Sequence, residues 1–471
     1  MPAHLLTVAA GCASVHALSK RSTTGNAAVT RGLLPSPRSG RHGTRSRPLG
    51  RSRGGADEMT RPRVAGAVRR DDTIQRLGGQ GDNWYSTWAG DGSLYVALCD
   101  GSGFPGLVRK NYNSRLYRVD GHPGTSSVSF HDVPGYPDLS TPLDEPFEVA
   151  TPPTRYYGFG TLAVDDTIYQ YLSTWNLPTT EEHMESGELR FIGAKLIYSA
   201  DGGTTWRNQD GSTPVHWEDW DERSSRNMVF LNEPGETFSL FSILQMGQGY
   251  RLNTDGYVYV YAPNGNTEGT MNQLVMFRVP VDSILDRGRY EYFVEAKPDG
   301  SAAWSPNIED RGIVHTFPAG WVNTKAHAYA WQPSITYDPG LDLYLMANWA
   351  TGPAPDGDWF GKPSYLGLYQ SETPWGPWEQ FHEETSWTPG GDEEARCYQP
   401  QIVPNWIADD GRSFWLVWTD FQSPYTLAES MARMREIRAS DASPDDKAAE
   451  SAALRPYYAF NVQLVELDVT G

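Results

Sequence analysis

Five stretches of the chain share one pattern: an apolar run, a short turn containing Asp or Gly, and a second run rich in aromatic residues. They are YSTWAGDGSLYVALCDG, FGTLAVDDTIYQYLSTW, LQMGQGYRLNTDGYVYVYAPNG, PSITYDPGLDLYLMANWA and IVPNWIADDGRSFWLVWTDF, with second runs opening near Leu94, Ile168, Tyr257, Leu343 and Phe414. Alternation of period two, punctuated by turn residues, predicts antiparallel hairpins. Second pairs such as KLIYSADGGTTWRN, LVMFRVPVDSILDRGRYEYF and LGLYQSETPWGPWEQF follow, so four antiparallel strands are expected per unit. Five units spaced by roughly 70 to 90 residues predict an all-β fold, a five-bladed β-propeller over residues 71–471. The last unit is short. After a helix-prone insertion at about 426–456 only YYAFNVQLVELDV remains, and DTIQRL at 72–77 is expected to supply the missing outer strand and close the ring.

This topology sorts the carboxylates. In a propeller blade the starts of first strands and the ends of second strands share one face, while the turns between them lie on the opposite face. Asp91, Asp166, Asp338 and Asp410, with Asp255, therefore belong to far-face turns, where Asp is expected for turn chemistry alone. Asp82 opens the first innermost strand and Asp100 closes the strand beside it, so both belong at one mouth of the central funnel, where ligands are expected. Trp84, Trp175, Asn176, Asn264, Trp349 and Asp420 occupy comparable strand ends. Trp and Tyr beside carboxylates suit stacking on sugar rings, with packing between blades as the plainer alternative for each aromatic.

Composition agrees with an all-β chain: 17 Trp and 25 Tyr supply large apolar faces, and 47 Gly with 34 Pro supply turns. Charge divides the chain in two. Residues 1–70 hold 13 basic and two acidic residues, a net +11, which leaves 26 basic and 56 acidic residues after them, a net −30. So acidic a body repels nucleic acid and anionic membranes and fits a neutral substrate. No apolar run is long enough to span a bilayer. The stretch 1–70, rich in Ser, Gly, Pro and Arg, reads as a disordered or targeting tail. Its LLTVAAGCASVHALS has the apolar centre of a secretory signal without a basic residue before it, and Met59 offers an alternative start. A secreted or cell-surface monomer is expected. Three cysteines, at 12, 99 and 397, supply neither a disulfide framework nor zinc spacing.

Ser199 to Trp206, SADGGTTW, fits the Asp-box pattern S-x-D-x-G-x-x-W, a turn in which the Asp caps amides and the Trp packs between blades. Asp201 is therefore read as structural. P-loop, nucleophile-elbow and dinucleotide signatures are absent, which removes several enzyme classes.

GDNWYSTWAGDGSLYVALCDGSGF, DGYVYVYAPNG with MNQLVMFRVPVDSILDRGRYEYF, QPSITYDPGLDLYLM and SETPWGPW resemble a family of five-bladed propellers formerly of unknown function, over roughly residues 72–425 and the last strand. Some members of the wider group are endo-acting arabinanases, and the architecture is similar to that of arabinanase and xylosidase propellers. The resemblance implies that Asp82, at the start of the first innermost strand, is the base. It also implies a Glu acid on a later blade, which no single position here matches, and it admits calcium in the central channel without requiring a cofactor.

Glycosidic cleavage needs two carboxyl groups flanking the bond. Asp82 stands as base or nucleophile. Asp100, Glu185, Glu188, Glu233, Glu268 and Glu394 stand as candidates for its partner. Asp100, its hairpin neighbour, reads rather as a supporting carboxylate that orients water or tunes Asp82, so the acid is expected from another blade. Glu188 is singled out because the long loop LPTTEEHMESGELRF, which also holds Glu185, overhangs the mouth. His327, Gln332, Tyr398 and Gln399 precede the fourth and fifth innermost strands, in HAYAWQPSITY and RCYQPQIVP, and the shared W/Y-Q-P suggests equivalent positions. Either Gln would point its amide into the funnel or satisfy a strand start. His327 has no second ligand at a recognisable spacing. Three functions follow: a glycoside hydrolase on a neutral polysaccharide, a carbohydrate-binding propeller without catalysis, or a protein-interaction scaffold that gives Asp82 and Asp100 no role.

Overall fold

A computed structural model describes residues 61–141, 156–177, 191–218, 230–265, 271–317, 331–352 and 361–471. The signal-like stretch, Met59, Glu185, Glu188, Glu268 and His327 lie outside them. All five hairpins form, and their second strands open at Leu94, Thr167, Tyr257, Leu343 and Ser413, each within one residue of the position read from the pattern. They build five antiparallel sheets.

From the axis outward, the first blade runs Ser86–Trp88, Leu94–Leu98, Asn111–Asp120 and Ser129–Asp132, with Leu139–Thr141 also on the third strand. The second runs Tyr156–Val164, Thr167–Trp175, Phe191–Ser199 and Arg207–Asn208. The third holds six strands: Ser242–Ile243, Tyr257–Pro263, Gln273–Pro280, Glu291–Ala296 and Ala302–Ser305, plus His315–Thr316 on the third of these. The fourth runs Ser334–Asp338, Leu343–Gly352, Gly361–Ser371 and Glu379–Glu384. Innermost strands pack on one another in sequence order. Ser86–Trp88 also packs on the innermost strand of the last blade, Cys397–Ile407, and the ring is closed. Four strands per blade thus hold for three blades, while the first and third carry additions.

The last blade joins the two ends of the chain. Cys397–Ile407, Ser413–Asp420 and Asn461–Thr470 are completed by Arg63–Arg76. The closing strand is therefore longer than the expected 72–77 and takes in residues 63–70, which composition assigned to the tail. Acids of neighbouring strands explain the difference. Arg69 makes two hydrogen bonds to Glu384 at 2.5 and 2.7 Å, Arg63 pairs with Glu379, and Arg70 pairs with Glu466. Gln370 also pairs with both the N–H and the C=O of Val64, at 2.9 and 2.8 Å, so the fourth blade grips the strand sideways.

Far-face turns follow the expected chemistry. Asp91 accepts from Ser93 N at 2.8 Å, Asp338 from Gly340 N at 2.9 Å and Asp410 from Arg412 N at 3.0 Å. Asp201 accepts from Thr205 N at 2.8 Å, and Trp206 is buried against Tyr136. Cys99 and Cys397 are buried, and neither forms a disulfide among the described residues. The insertion forms α1 (Leu427–Ala439), started by a reciprocal cap between Thr426 and Glu429, and α2 (Pro444–Leu454), started by Ser443. No helix among the described residues is long and apolar enough to cross a membrane.

Candidate functional site

Asp82 and Cys99 exchange both backbone hydrogen bonds, each 2.9 Å, which seats Asp82 and Asp100 at the mouth end of one hairpin. Asp82 is 3% exposed. Its Oδ1 accepts from Asn83 Nδ2 at 2.7 Å and its Oδ2 from the hydroxyl of Tyr398 at 2.9 Å, across the seam between the last and first blades. Burial and the neighbouring Asp100 push its carboxyl well above the usual carboxylate range, against the pull of the Tyr398, Asn83 and Tyr458 donors. Asp82 therefore gives up its proton less readily than an exposed Asp does.

The insertion contributes here. It ends on Tyr457 to Phe460, which line up with Leu77 to Gly81: Gly81 N donates to Tyr458 O, and Leu77 N and Phe460 N bond to Phe460 O and Gly78 O. The Tyr458 hydroxyl then donates to Asp100 O. The two tyrosines extend an aromatic file, Trp331, Trp349, Tyr398, Phe421 and Tyr458, with centroids 5.7 to 6.3 Å apart.

Backbone conformation marks the same place. Nine described non-glycine residues have positive φ, and four of them stand here: Asn83 (55°), Asp100 (48°), Gln332 (53°) and Gln399 (51°). Such a concentration in three adjacent blades is the signature of a site whose geometry is held against local preference. Asn83, Gln332 and Gln399 are equivalent carboxamides, following Asp82, Trp331 and Tyr398 respectively. Gln399 Nε2 donates to Gln332 Oε1 at 3.2 Å, so these two amides bond each other rather than a strand start.

Other candidates stand elsewhere or do other work. Trp84, 1% exposed, fills the wedge between Phe104 and Phe460, and Trp175, 2% exposed, packs on Phe191. In both, the plainer reading prevails and no ring face is left for a sugar. Asp420 accepts from Arg396 N, Gln422 N and Gln422 Nε2 at 2.9 to 3.0 Å, which makes it a cap at a strand end; burial raises its carboxyl. Asn264 bonds Gln273 and Arg311, while Asn176 is half-buried just beyond Trp175. Glu233 is paired with Arg287 and Glu394 with Lys362. Sequence reasoning missed Tyr458, Asn83 and a buried ion pair, Lys195 to Glu218 at 3.0 Å, which Tyr156 also joins. The equivalence of G-D-N with W-Q-P and Y-Q-P could have exposed Asn83; Tyr458 and Glu218 follow loops whose path no pattern gives.

The axial cavity below the mouth is lined by Ser86, Thr161, Ser242, Gln245, Ser334 and Gln401 with apolar neighbours such as Phe159 and Ile335. These hydroxyls and amides stitch the blades together, as where Ser334 Oγ accepts from Ile402 N at 2.9 Å. Calcium is held by oxygens of carboxylates, backbone and side-chain carbonyls and waters. The described lining offers hydroxyl and amide oxygens but no carboxylate, and no three His, Cys, Asp or Glu residues converge among the described residues.

No family profile and no curated protein sequence matches the chain. Among solved structures it is similar to an α-L-arabinofuranosidase from Podospora anserina, at 9% identity over 88% of this chain and 94% of that one, TM-score 0.37. A protein of unknown function from Dyadobacter fermentans is 13% identical over 87% and 100%, TM-score 0.39. A xylan β-1,4-xylosidase from Bacillus halodurans is 11% identical over 74% of this chain, which spans half of that one, TM-score 0.39. Likeness at this level carries no functional argument; the five-bladed propeller rests on its own sheet topology.

Proposed function

We propose that this chain is a glycoside hydrolase of a neutral polysaccharide, met outside the cell, with Asp82 and Asp100 as its carboxyl pair. The observation that carries the reading is Asp82 itself: a buried carboxyl, oriented by two side-chain donors, beside a second acid that raises its proton affinity. Two acids held together cannot both ionise, so one proton is retained. The proton on Asp82 suits it to protonate a leaving oxygen, the reverse of the role as base that the resemblance implies. Asp100 then takes the opposite part, toward water or the sugar carbon. The strongly acidic body favours an uncharged polymer.

The test is release of reducing ends from arabinan, xylan, galactan, β-glucan and arabinogalactan by the full chain, with Asp82→Asn beside it. Release by the wild type and its loss in Asp82→Asn support the reading. Equal release by both removes Asp82 from the chemistry. A second reading, a carbohydrate-binding propeller without catalysis, draws on the near-complete burial of Asp82; saccharide binding without products by either protein would select it.

A further inference from the structure

Gln332 and Gln399 are each 1% exposed, and their mutual hydrogen bond uses one donor and one acceptor. Gln332 Nε2 and Gln399 Oε1 remain buried without a hydrogen-bond partner among the described residues. Turning both amides over changes nothing in kind, because two carboxamides in contact always leave one NH2 and one C=O. Buried polar groups are nearly always matched. A donor and an acceptor left open within one bonded amide pair therefore have a use or a cost.

The backbone points to a use. Both residues hold positive φ and both precede a proline, Pro333 and Pro400. A residue before proline is pushed toward extended conformations, so the left-handed region is doubly disfavoured. Gln399 also sits at an irregularity in its strand, where the register shifts between Tyr398 and Gln401. Such bulges re-aim a side chain and gather beside active sites. Glycine would take this backbone without strain and an apolar side chain would fill the space without an unmatched group; two glutamines do neither. Pro333, Ser334 and Gln401, their neighbours along the chain, line the axial cavity, which places the pair at its upper end.

Open donor and acceptor together select a ligand group. A carboxylate, phosphate or sulfate would meet Gln332 Nε2 but set its charge against Gln399 Oε1, and an ammonium would meet only the acceptor. A hydroxyl accepts from the one and donates to the other. We propose that the Gln332–Gln399 amide pair positions a neutral saccharide by binding one of its hydroxyl groups at the centre of the funnel. This rests on the reading of the site as one that takes a polysaccharide, and it adds the chemical group recognised.

The test measures binding of arabinohexaose, xylohexaose and cellohexaose to the full chain by titration calorimetry, with melting temperature alongside. Gln332→Met and Gln399→Met keep the bulk and remove the amides; Gln332→Gly and Gln399→Gly remove both the amide and the strain. Expected is a loss of about tenfold or more in affinity for the hexaose that wild type binds, in all four variants, with melting temperatures equal to wild type or higher for the glycine pair. A pair that merely holds the strand starts, with water on its open groups, would lower the melting temperature and leave affinity unchanged, which overturns the proposal. If no hexaose binds wild type the proposal falls, while polysaccharide cleavage lost in Asp82→Asn would leave the hydrolase reading standing. If Asp82→Asn cleaves as wild type does yet the glutamine variants lose affinity, the hydrolase assignment of Asp82 falls and the amide pair remains.

Discussion

The hydroxyl of Tyr398 reaches Asp82 Oδ2 at 2.9 Å from 316 positions further along the chain, and it donates to the oxygen of a carboxyl that burial already makes reluctant to ionise. Tyr398→Phe removes a donor that favours the charged form, so the Asp82 carboxyl rises further. The limb of the pH–rate profile on which Asp82 loses its proton should move to higher pH by about one unit, since a hydrogen bond to a charged group is worth about 1.5–3 kcal/mol. An unmoved limb would separate Tyr398 from the titration of Asp82.

Asp100 acts with the opposite sign. Its charge raises the Asp82 carboxyl, so Asp100→Asn should bring the same limb down in pH. It should also lower the rate at the optimum by a factor of about 100 or more if Asp100 supplies the second carboxylate. A retained rate with a shifted limb would leave Asp100 as a group that tunes its neighbour.

Asp338 should make stability depend on pH. It is fully buried, and burial, with Asp410 facing it from the next blade, pushes its carboxyl up to about 7. Below about pH 4 the residue is protonated folded and unfolded. As pH climbs from about 4 to 7 the unfolded chain releases the proton and the folded chain keeps it, so stability falls across that window and levels off above it. Asp338→Asn should flatten the fall and melt higher than wild type at pH 8. An unchanged slope in denaturant titrations between pH 4 and 8 would count against it.

Glu384 should act at the acid end. With His382 and Arg69 as donors, its carboxyl is lowered to about 2 despite the cost of burial. The stability it contributes is therefore present above about pH 4.5 and is lost as pH falls through 2, about 3 kcal/mol at most. Glu384→Gln leaves the largely buried Arg69 with only the more exposed Asp71 as a charge partner, at a cost of about 1–3 kcal/mol at neutral pH. Melting by calorimetry at pH 3 and pH 7 checks both, and the variant should differ less from wild type at the lower pH.

The blades were readable because strand ends need only a period and a turn. YSTWAGDGSLYVALCDG announces its own hairpin, and with it the common end of Asp82 and Asp100. Residues 63–70 were not readable, because an Arg-rich stretch is a tail or a strand depending on whether acids stand beside it, and Glu384 is 315 positions away from Arg69. Trp84 gave a strand end correctly and a surface wrongly: the pattern fixes height along the blade but not whether a ring points to the mouth or into the wedge. Positive φ at Gln332 and Gln399 left no trace either, since glutamine does not advertise left-handed backbone as glycine does.

The order in which the chain is made bears on where these groups come from. Asp82 leaves the ribosome early, while Tyr398 and Tyr458 leave near the end, and the strand Arg63–Arg76 has no sheet to join until Asn461–Thr470 exists. Pairing over such separations is slow, and until it happens the first-made edge strand stands unpaired and open to proteases. The same event that shields that edge brings the last tyrosines to the first aspartate, so a chain cut short or still unfolded has no assembled centre with which to act.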